Sequence, residues 1–257
     1  MEKYEIIGKV IKKKEFSKLP FIDIELAYKH FEKRQVSCEE KIRLTRELLH
    51  KVFGAFSSKK LLSPKSKDFE WILRKHLSTR ERLTYYEDVY ARIFNDTKEK
   101  ISVFDLGAGI NGFSYRFFPR QVDYVGVESV GQLVELMNTY FKENKFSGKA
   151  IHLSLFNLDK LKEVIKNKKT KKVIFLFKVV DSLESLEENY SKKLLTELVP
   201  LADKVVVSFA TKSMISRKSF KVKRNWIIDF IKDNFNVLDD FEIGGERYVS
   251  FTRNLSH

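Results

Sequence analysis

The sequence lacks the residues that would cross-link or metallate a fold. Its 257 residues include one cysteine, Cys38. That excludes an intramolecular disulfide and leaves no cysteine cluster for zinc or an iron–sulfur centre, so the expected compartment is the reducing cytoplasm. The five histidines form no metal-ligand spacing, and no metal is expected. The longest apolar runs, such as Val173-Ile174-Phe175-Leu176-Phe177, fall far short of the about 20 residues that a membrane-spanning helix needs. The charged start, Met1-Glu2-Lys3-Tyr4-Glu5, has no apolar stretch behind it, so neither a secretory leader nor a membrane is expected. Repeats and low-complexity tracts are missing as well.

What is present is enough apolar material, 43% of residues, for a sizeable core. The chain also carries a basic excess: 49 Lys and Arg against 35 Asp and Glu, a net +14, with a pI near 9.6. That balance suits a polyanion, and nucleic acid is the commonest one. A solvated lysine-rich surface gives the same number, so charge alone leaves both readings open.

The patterning changes near residue 96. Before it, apolar residues recur at helical spacing: Ile42, Leu49, Val52 and Phe53 on one stripe, Leu83, Tyr86, Val89, Tyr90 and Ile93 on another. Leu61–Lys67, with Pro64 and its serines, reads as a break between helices. Residues 1–95 are the more basic part for their length and are expected to form a helical, basic RNA-docking domain. Residues 96–257 alternate short β-rich runs (Ile101–Leu106, Val122–Val127, Ala150–Leu155, Val173–Phe177, Lys204–Phe209) with helical stretches (Gly131–Lys142, Asp159–Lys166, Tyr190–Val199). That alternation predicts an α/β fold with a parallel sheet. A helix over Asn225–Asp233 then precedes two strands, Phe235–Ile243 and Arg247–Thr252, around Gly244-Gly245, a hairpin signal. A parallel sheet closed by an antiparallel final strand is how class I (Rossmann-like) methyltransferases end.

The sharpest local motif is Asp105-Leu106-Gly107-Ala108-Gly109-Ile110-Asn111-Gly112, between a predicted strand and a helical stretch. Its spelling satisfies the G-x-G-x-x-G nucleotide fingerprint, which alone is weak. Asp105 argues against NAD, whose pyrophosphate a carboxylate would repel, and for S-adenosyl-L-methionine, whose ammonium and sulfonium it would attract. Glu128 ends the next strand, where an acid can accept hydrogen bonds from ribose hydroxyls. A tight turn with no ligand is the bland alternative.

These motifs and several others resemble the aminoglycoside-resistance 16S rRNA (guanine-N7) methyltransferases of the Arm/Rmt type. The resemblance begins at His50-Lys51-Val52-Phe53-Gly54-Ala55-Phe56. His76-Leu77-Ser78-Thr79-Arg80-Glu81-Arg82-Leu83 matches the family's H-x-S-T-x-E-R, the most specific piece. Asp105 to Asn111 matches D-x-G-x-G-x-N, Leu176-Phe177-Lys178 matches L-x-K, Ser208-Phe209-Ala210-Thr211-Lys212-Ser213-Met214 matches S-F-P-x-K-S-L, and Gly244-Gly245-Glu246 matches G-x-E. Trp226 falls where the family has a tryptophan. The chain departs from the pattern at Ala108, Gly112, Glu128 and Ala210. The resemblance implies a class I S-adenosyl-L-methionine-dependent enzyme with a helical N-terminal domain. It would act on 16S rRNA of the 30S subunit at guanine N7 in the decoding site, with aminoglycoside resistance as an outcome, and is expected to be a monomer. It also implies that Ser78, Thr79 and Arg82 meet the methionine end of the cofactor, Arg82 pairing its carboxylate, with Gly107, Gly109, Asn111 and Lys178 in the same pocket. Arginine–carboxylate pairing is bidentate and strong. The same Ser78-Thr79-x-Glu81 spacing is also that of a helix N-cap. Asn157, just after the third strand, is expected at the adenine.

The missing residues narrow the reaction: ribose 2′-O methylation needs an acid after the fourth strand, where Lys178 stands. Pyrimidine C5 methylation needs a cysteine nucleophile, and Cys38 lies far in sequence from the glycine motif. Where amino methylases of adenine or cytosine carry Asp/Asn-Pro-Pro-aromatic, this chain reads Lys178-Val179-Val180-Asp181. Guanine N7 is a lone pair without a proton, so no general base, and hence no catalytic acid–base residue, is expected. Lys212–Arg224 contains Lys212, Arg217, Lys218, Lys221, Lys223 and Arg224 and no acid. With Phe220 and Trp226 interleaved, it reads as an RNA-binding segment in which the cations meet phosphate and an aromatic stacks on a base. Lys12-Lys13-Lys14 and Lys59-Lys60 suit the same docking surface. Methylation of another RNA or of a small molecule, or RNA binding without catalysis, remain the alternatives.

Overall fold

The computed structural model describes residues 3–54, 59–62, 68–96, 99–211 and 224–254. Helices come first: α1 (Lys3–Ile11), α2 (Phe21–Glu32), α3 (Cys38–Leu49), α4 (Phe69–Leu73), α5 (Leu77–Arg82) and α6 (Tyr86–Ile93). Local chemistry starts two of them. Ser37 caps α3 by accepting the Glu40 N–H at 3.2 Å, and Asp68 caps α4 by accepting that of Trp71 at 2.7 Å. Of the break expected over Leu61–Lys67, residues 63–67 lie outside the described residues.

The second part alternates β1 (Ile101–Leu106), β2 (Asp123–Glu128), α7 (Gly131–Asn144), β3 (Gly148–His152), α8 (Leu158–Lys166), β4 (Lys171–Phe177), α9 (Val180–Leu186), α10 (Tyr190–Leu198) and β5 (Lys204–Ala210). It ends in α11 (Asn225–Asn234), β6 (Phe235–Ile243) and β7 (Glu246–Arg253). Among the described residues the strands form one seven-stranded sheet in the order β3-β2-β1-β4-β5-β7-β6. β1 to β5 pair in parallel, and β7 pairs antiparallel with both β5 and β6. Gly244 and Gly245, both at positive φ (61° and 76°), make the two-residue turn between the last strands.

The period of two sorts each strand between two cores. Val103, Val173 and Phe175 point to one side and share a core with Ile6, Val10, Ile24 and Tyr90 of the N-terminal helices, Tyr90 stacking on Phe175. Phe104, Ile174 and Leu176 point to the other, against Leu161, Leu194 and Ile227 of α8, α10 and α11. Helices α1 to α3 pack on one another, and the α6 region reaches the sheet through Tyr90 and Phe94, whose rings meet Phe175. The change of pattern near residue 96 marks a change of secondary structure within one continuous hydrophobic cluster.

Two local details differ from the sequence reading. The helical stretch expected after the glycine motif takes the tighter 3-10 form, over Asn111–Phe117. Pro119 holds Phe118 in extended backbone (ψ 136°) and stops the run. Helix α9 is new; its seven residues are too short for a helical period to stand out.

Candidate active site

In sequence the chain runs outward from β1 to β3 and then returns to β4 on the other side of β1, so the order reverses between β1 and β4. Such switch points open a crevice at the carboxyl ends of the strands. Here the crevice is a cavity of about 890 Å³, part of it open to solvent, lined from α5, from the segments after β1 to β4, and from α2.

Its floor is the glycine turn. Gly107 and Gly109 take φ of 71° and 55°. A Cβ on Gly107 would lie 2.7 Å from Val179 Cγ2, and one on Gly109 would lie 2.8 Å from His76 Nε2. Only glycine fits either place. Glu128 ties the turn to β2: its Oε2 accepts the Gly109 N–H at 2.7 Å and its Oε1 accepts that of Val130 at 2.8 Å. Burial pushes the Glu128 carboxyl up to about 7, with Asp23 and Asp105 adding to the rise and the two backbone donors opposing it.

Asp105, from β1, is buried, and burial raises its pKa. Its Oδ2 accepts from the Tyr124 hydroxyl at 2.6 Å and from Asn111 Nδ2 at 2.7 Å. Asn111 in turn accepts from Tyr86 Oη at 2.6 Å and from Arg82 Nη1 at 3.2 Å, so its amide links the cavity to α5 and α6.

Arg82 is nearly solvent-free and donates to four acceptors: Tyr248 Oη (3.0 Å), Asn111 Oδ1 (3.2 Å), Ser78 Oγ (3.3 Å) and Glu246 Oε1 (2.6 Å). A guanidinium has five N–H groups, so one on Nη1 remains. The two-bond clamp on an incoming carboxylate is thus not available while Glu246 and Asn111 stay bound; one hydrogen bond is. Lys178 joins the same network, its Nζ 2.6 Å from Glu81 and 3.1 Å from Glu246. Its own backbone sits at φ 58°, a strained conformation for a non-glycine residue, and its N–H donates to Ser208 O. His76 is half-buried over the turn, and desolvation, with Arg82 and Lys178 nearby, lowers its pKa to about 3, so the ring is neutral.

Ser78, Thr79, Arg82, Asp105, Gly107, Gly109, Asn111, Glu128 and Lys178 all line the cavity. Ser78 and Thr79 do not cap α5. The N-cap is His76, which makes no side-chain cap, while Thr79 Oγ1 donates to Leu73 O at 2.6 Å and braces the turn from α4. Asn157 is not on the lining. It caps α8 by accepting the Lys160 N–H, and its neighbours Leu155 and Phe156 face the cavity instead. Arg224 is engaged with protein, donating from Nε and Nη2 to Asp181 (3.2 and 2.6 Å) and from Nη1 to Ala210 O (2.7 Å). Trp226 is partly exposed on α11, with Lys192 Nζ 5.5 Å from its ring centre. Lys212, Arg217, Lys218, Phe220, Lys221 and Lys223 lie outside the described residues.

A glycine turn, an acid on each of the first two strands and a buried arginine on a preceding helix is the site shape that the motifs imply. The family model for ribosomal RNA methyltransferases (FmrO) matches residues 66–227, which include all of these. This chain belongs to that family. A curated relative, the 16S rRNA (guanine(1405)-N(7))-methyltransferase of Proteus mirabilis, is 25% identical over 190 residues, 71% of this chain and 64% of that protein. The chain thus spans just under two thirds of that relative's length. The solved structure of 16S rRNA methyltransferase RmtF in complex with S-adenosyl-L-homocysteine superposes with a TM-score of 0.81 at 18% identity, covering 99% of this chain and 100% of that one. The 16S rRNA methylase RmtB gives 0.78 at 19% identity, with 99% of each chain covered. At these identities the likeness establishes the fold.

Within this family site, sequence reasoning passed over four participants. Glu246 stood out only as the end of a G-x-E motif, yet it pairs with both Arg82 and Lys178. Tyr86 and Tyr90 read as a core stripe, which they are, but Tyr86 also donates to Asn111, and Tyr90 accepts from its Nδ2 at 3.3 Å. Asp23, buried in α2, carried no signal at all.

Proposed function

We propose that the protein transfers the methyl group of S-adenosyl-L-methionine to N7 of the decoding-site guanine of 16S rRNA, acting as a cytoplasmic monomer on the assembled 30S subunit. The observation that carries this reading is the acid-lined cavity at the switch point of a chain belonging to the ribosomal RNA methyltransferase family.

The residues present fit that cofactor. Asp105 and Glu128 are acceptors in a cavity whose turn has no room for a Cβ, and the cofactor offers an ammonium group, a sulfonium and ribose hydroxyls. The remaining N–H of Arg82 can take one oxygen of its carboxylate. When bound, S-adenosyl-L-methionine supplies an electrophilic methyl group on a sulfonium. The protein's task is placement. Glu128, fixed by two backbone N–H groups, orients the ribose, and the Asp105–Asn111–Arg82 relay fixes α5 against β1. Guanine N7 presents a lone pair with no proton to remove, so alignment of the acceptor with the methyl group is sufficient chemistry. The basic segment 212–224 and the lysines of the N-terminal helices supply the phosphate contacts that hold rRNA over the cavity.

Incubation of intact 30S subunits, naked 16S rRNA and small-molecule fractions with methyl-labelled cofactor tests the reading. Label should enter 30S subunits. Label only in naked RNA or in small molecules would reject the target, and none anywhere would reject catalysis.

A further inference from the structure

Asp23 lies in the first turn of α2, far ahead of the first strand in sequence, yet it lines the cavity with a fully buried side chain. An acid in a first turn ordinarily serves the helix dipole from the solvent side. This one is sealed in. Ser154, just past β3, donates its hydroxyl to Oδ1, and the Ser129 hydroxyl lies beside the same carboxylate, while Oδ2 has no hydrogen bond of good geometry among the described residues. A buried acceptor left unpaired is costly, and its retention points to a donor that arrives from elsewhere.

The surroundings say what kind of donor. Ser129, which follows Glu128, and Leu155 and Phe156, which follow Ser154, share the lining with Asp23. Two apolar side chains beside a carboxylate suit a flat, partly apolar group carrying an N–H or O–H at its edge. Burial pushes the Asp23 carboxyl up to about 6, with the neighbouring serine hydroxyls and His152 opposing the rise. At neutral pH it is therefore largely an ionised, acceptor-only group. Glu128 already spends one bond per oxygen, on the N–H groups of Gly109 and Val130, so Oδ2 of Asp23 is the freer acceptor on this wall.

We propose that Oδ2 of Asp23 accepts a hydrogen bond from the adenosine part of the cofactor, so that a helix of the N-terminal region completes the pocket. This rests on the S-adenosyl-L-methionine reading above. Two donors share the required chemistry, the exocyclic amine of the base and a ribose hydroxyl, and ligand analogues separate them.

The experiment is calorimetric titration of the full chain and of Asp23→Asn and Asp23→Ala with S-adenosylhomocysteine, S-inosylhomocysteine and the 2′- and 3′-deoxy analogues. Thermal melting confirms that the variants are folded, and Asp23→Asn keeps an acceptor for Ser154. Both variants should bind S-adenosylhomocysteine about tenfold or more weakly. If the amine is the donor, wild type should reject the inosyl compound and Asp23→Asn should regain it, because the new amide can donate to the base oxygen. If a hydroxyl is the donor, removing that hydroxyl should weaken wild type and leave the variants unaffected. Wild-type affinity in both variants would overturn the assignment, as would an equal loss for all four ligands, which marks a purely structural role. Failure of wild type itself to bind S-adenosylhomocysteine would overturn the cofactor reading along with it.

Discussion

Arg82 and Glu246 stand 164 positions apart in the chain, yet their side chains meet at 2.6 Å with 1% and 4% of their surface exposed. Lys178 lies 3.1 Å from the other oxygen of Glu246 and 2.6 Å from Glu81. Burial pushes the Glu246 carboxyl up, but Arg82 and Lys178 outweigh it and hold the group below its ordinary range. Glu246 on the hairpin strand thus bridges two cations, one from α5 and one just past β4, and with Glu81 balances their charge.

Removing that acid should be severe. Glu246→Ala leaves Arg82 buried without its counter-ion, and a broken buried pair costs about 3–5 kcal/mol. Urea denaturation should show that loss. The double variant Arg82→Met with Glu246→Leu should lose less than the sum of the two single changes. Since the folded carboxyl titrates below its unfolded value, the stabilisation is complete above the unfolded pKa and disappears as pH falls through the folded one.

The strands were legible because each is a short β-rich run bounded by polar residues, and the closing hairpin because Gly244-Gly245 demands positive φ. The glycine turn and the acid that ends β2 were legible because turn geometry and charge leave few choices of residue. What escaped depends on tertiary distance. Nothing local to Asp23 tells that Ser154, 131 residues on, will bury it. Asn157 misled for the opposite reason: an asparagine after a strand is equally a helix cap, and the chain uses it as one. The commitment of Arg82 to Glu246 was hidden in a motif that reads the same whether its arginine faces a ligand or the protein.

Cofactor affinity should depend on pH through Glu128. Its folded carboxyl titrates near 7, above its unfolded value, because burial dominates and Asp23 and Asp105 lie close. The ligand-free protein therefore loses stability as pH rises from the unfolded value toward 7. Ribose hydroxyls donate to the ionised form, so S-adenosylhomocysteine should bind more tightly as pH rises, levelling off above about 7, with a proton released below that. Titrations in buffers of different ionisation heat would count the proton. Glu128→Gln should abolish its share; an unchanged pH profile in that variant would remove Glu128 from the site.

Gly109→Ala should weaken S-adenosylhomocysteine binding by about tenfold or more, through a positive φ that costs about 1–2 kcal/mol and a Cβ 2.8 Å from His76 Nε2. Adding His76→Ala should relieve the clash but leave the backbone strain, so recovery should be partial. Full recovery would mean that φ is unimportant here.

Lys218, Lys221 and Lys223 are assigned to phosphate. Neutralising all three should weaken 30S binding and flatten its salt dependence by about 0.7–0.9 of a logarithmic unit for each phosphate that is no longer neutralised. S-adenosylhomocysteine affinity should not move. Intact subunit binding with an unchanged salt slope would make the segment a solvated surface.

The most direct measurement is of the product. N7 methylation fixes a positive charge on guanine and weakens its glycosidic bond, so borohydride reduction followed by aniline cleaves the RNA there. Primer extension on 30S subunits treated with the enzyme and S-adenosyl-L-methionine should stop at one position, the decoding-site guanine that the Proteus mirabilis relative's name numbers 1405. A strain expressing the chain should then tolerate gentamicin-like and kanamycin-like drugs. Methyl incorporation without an aniline-sensitive break would contradict N7 chemistry, and a break at another nucleotide would contradict the target.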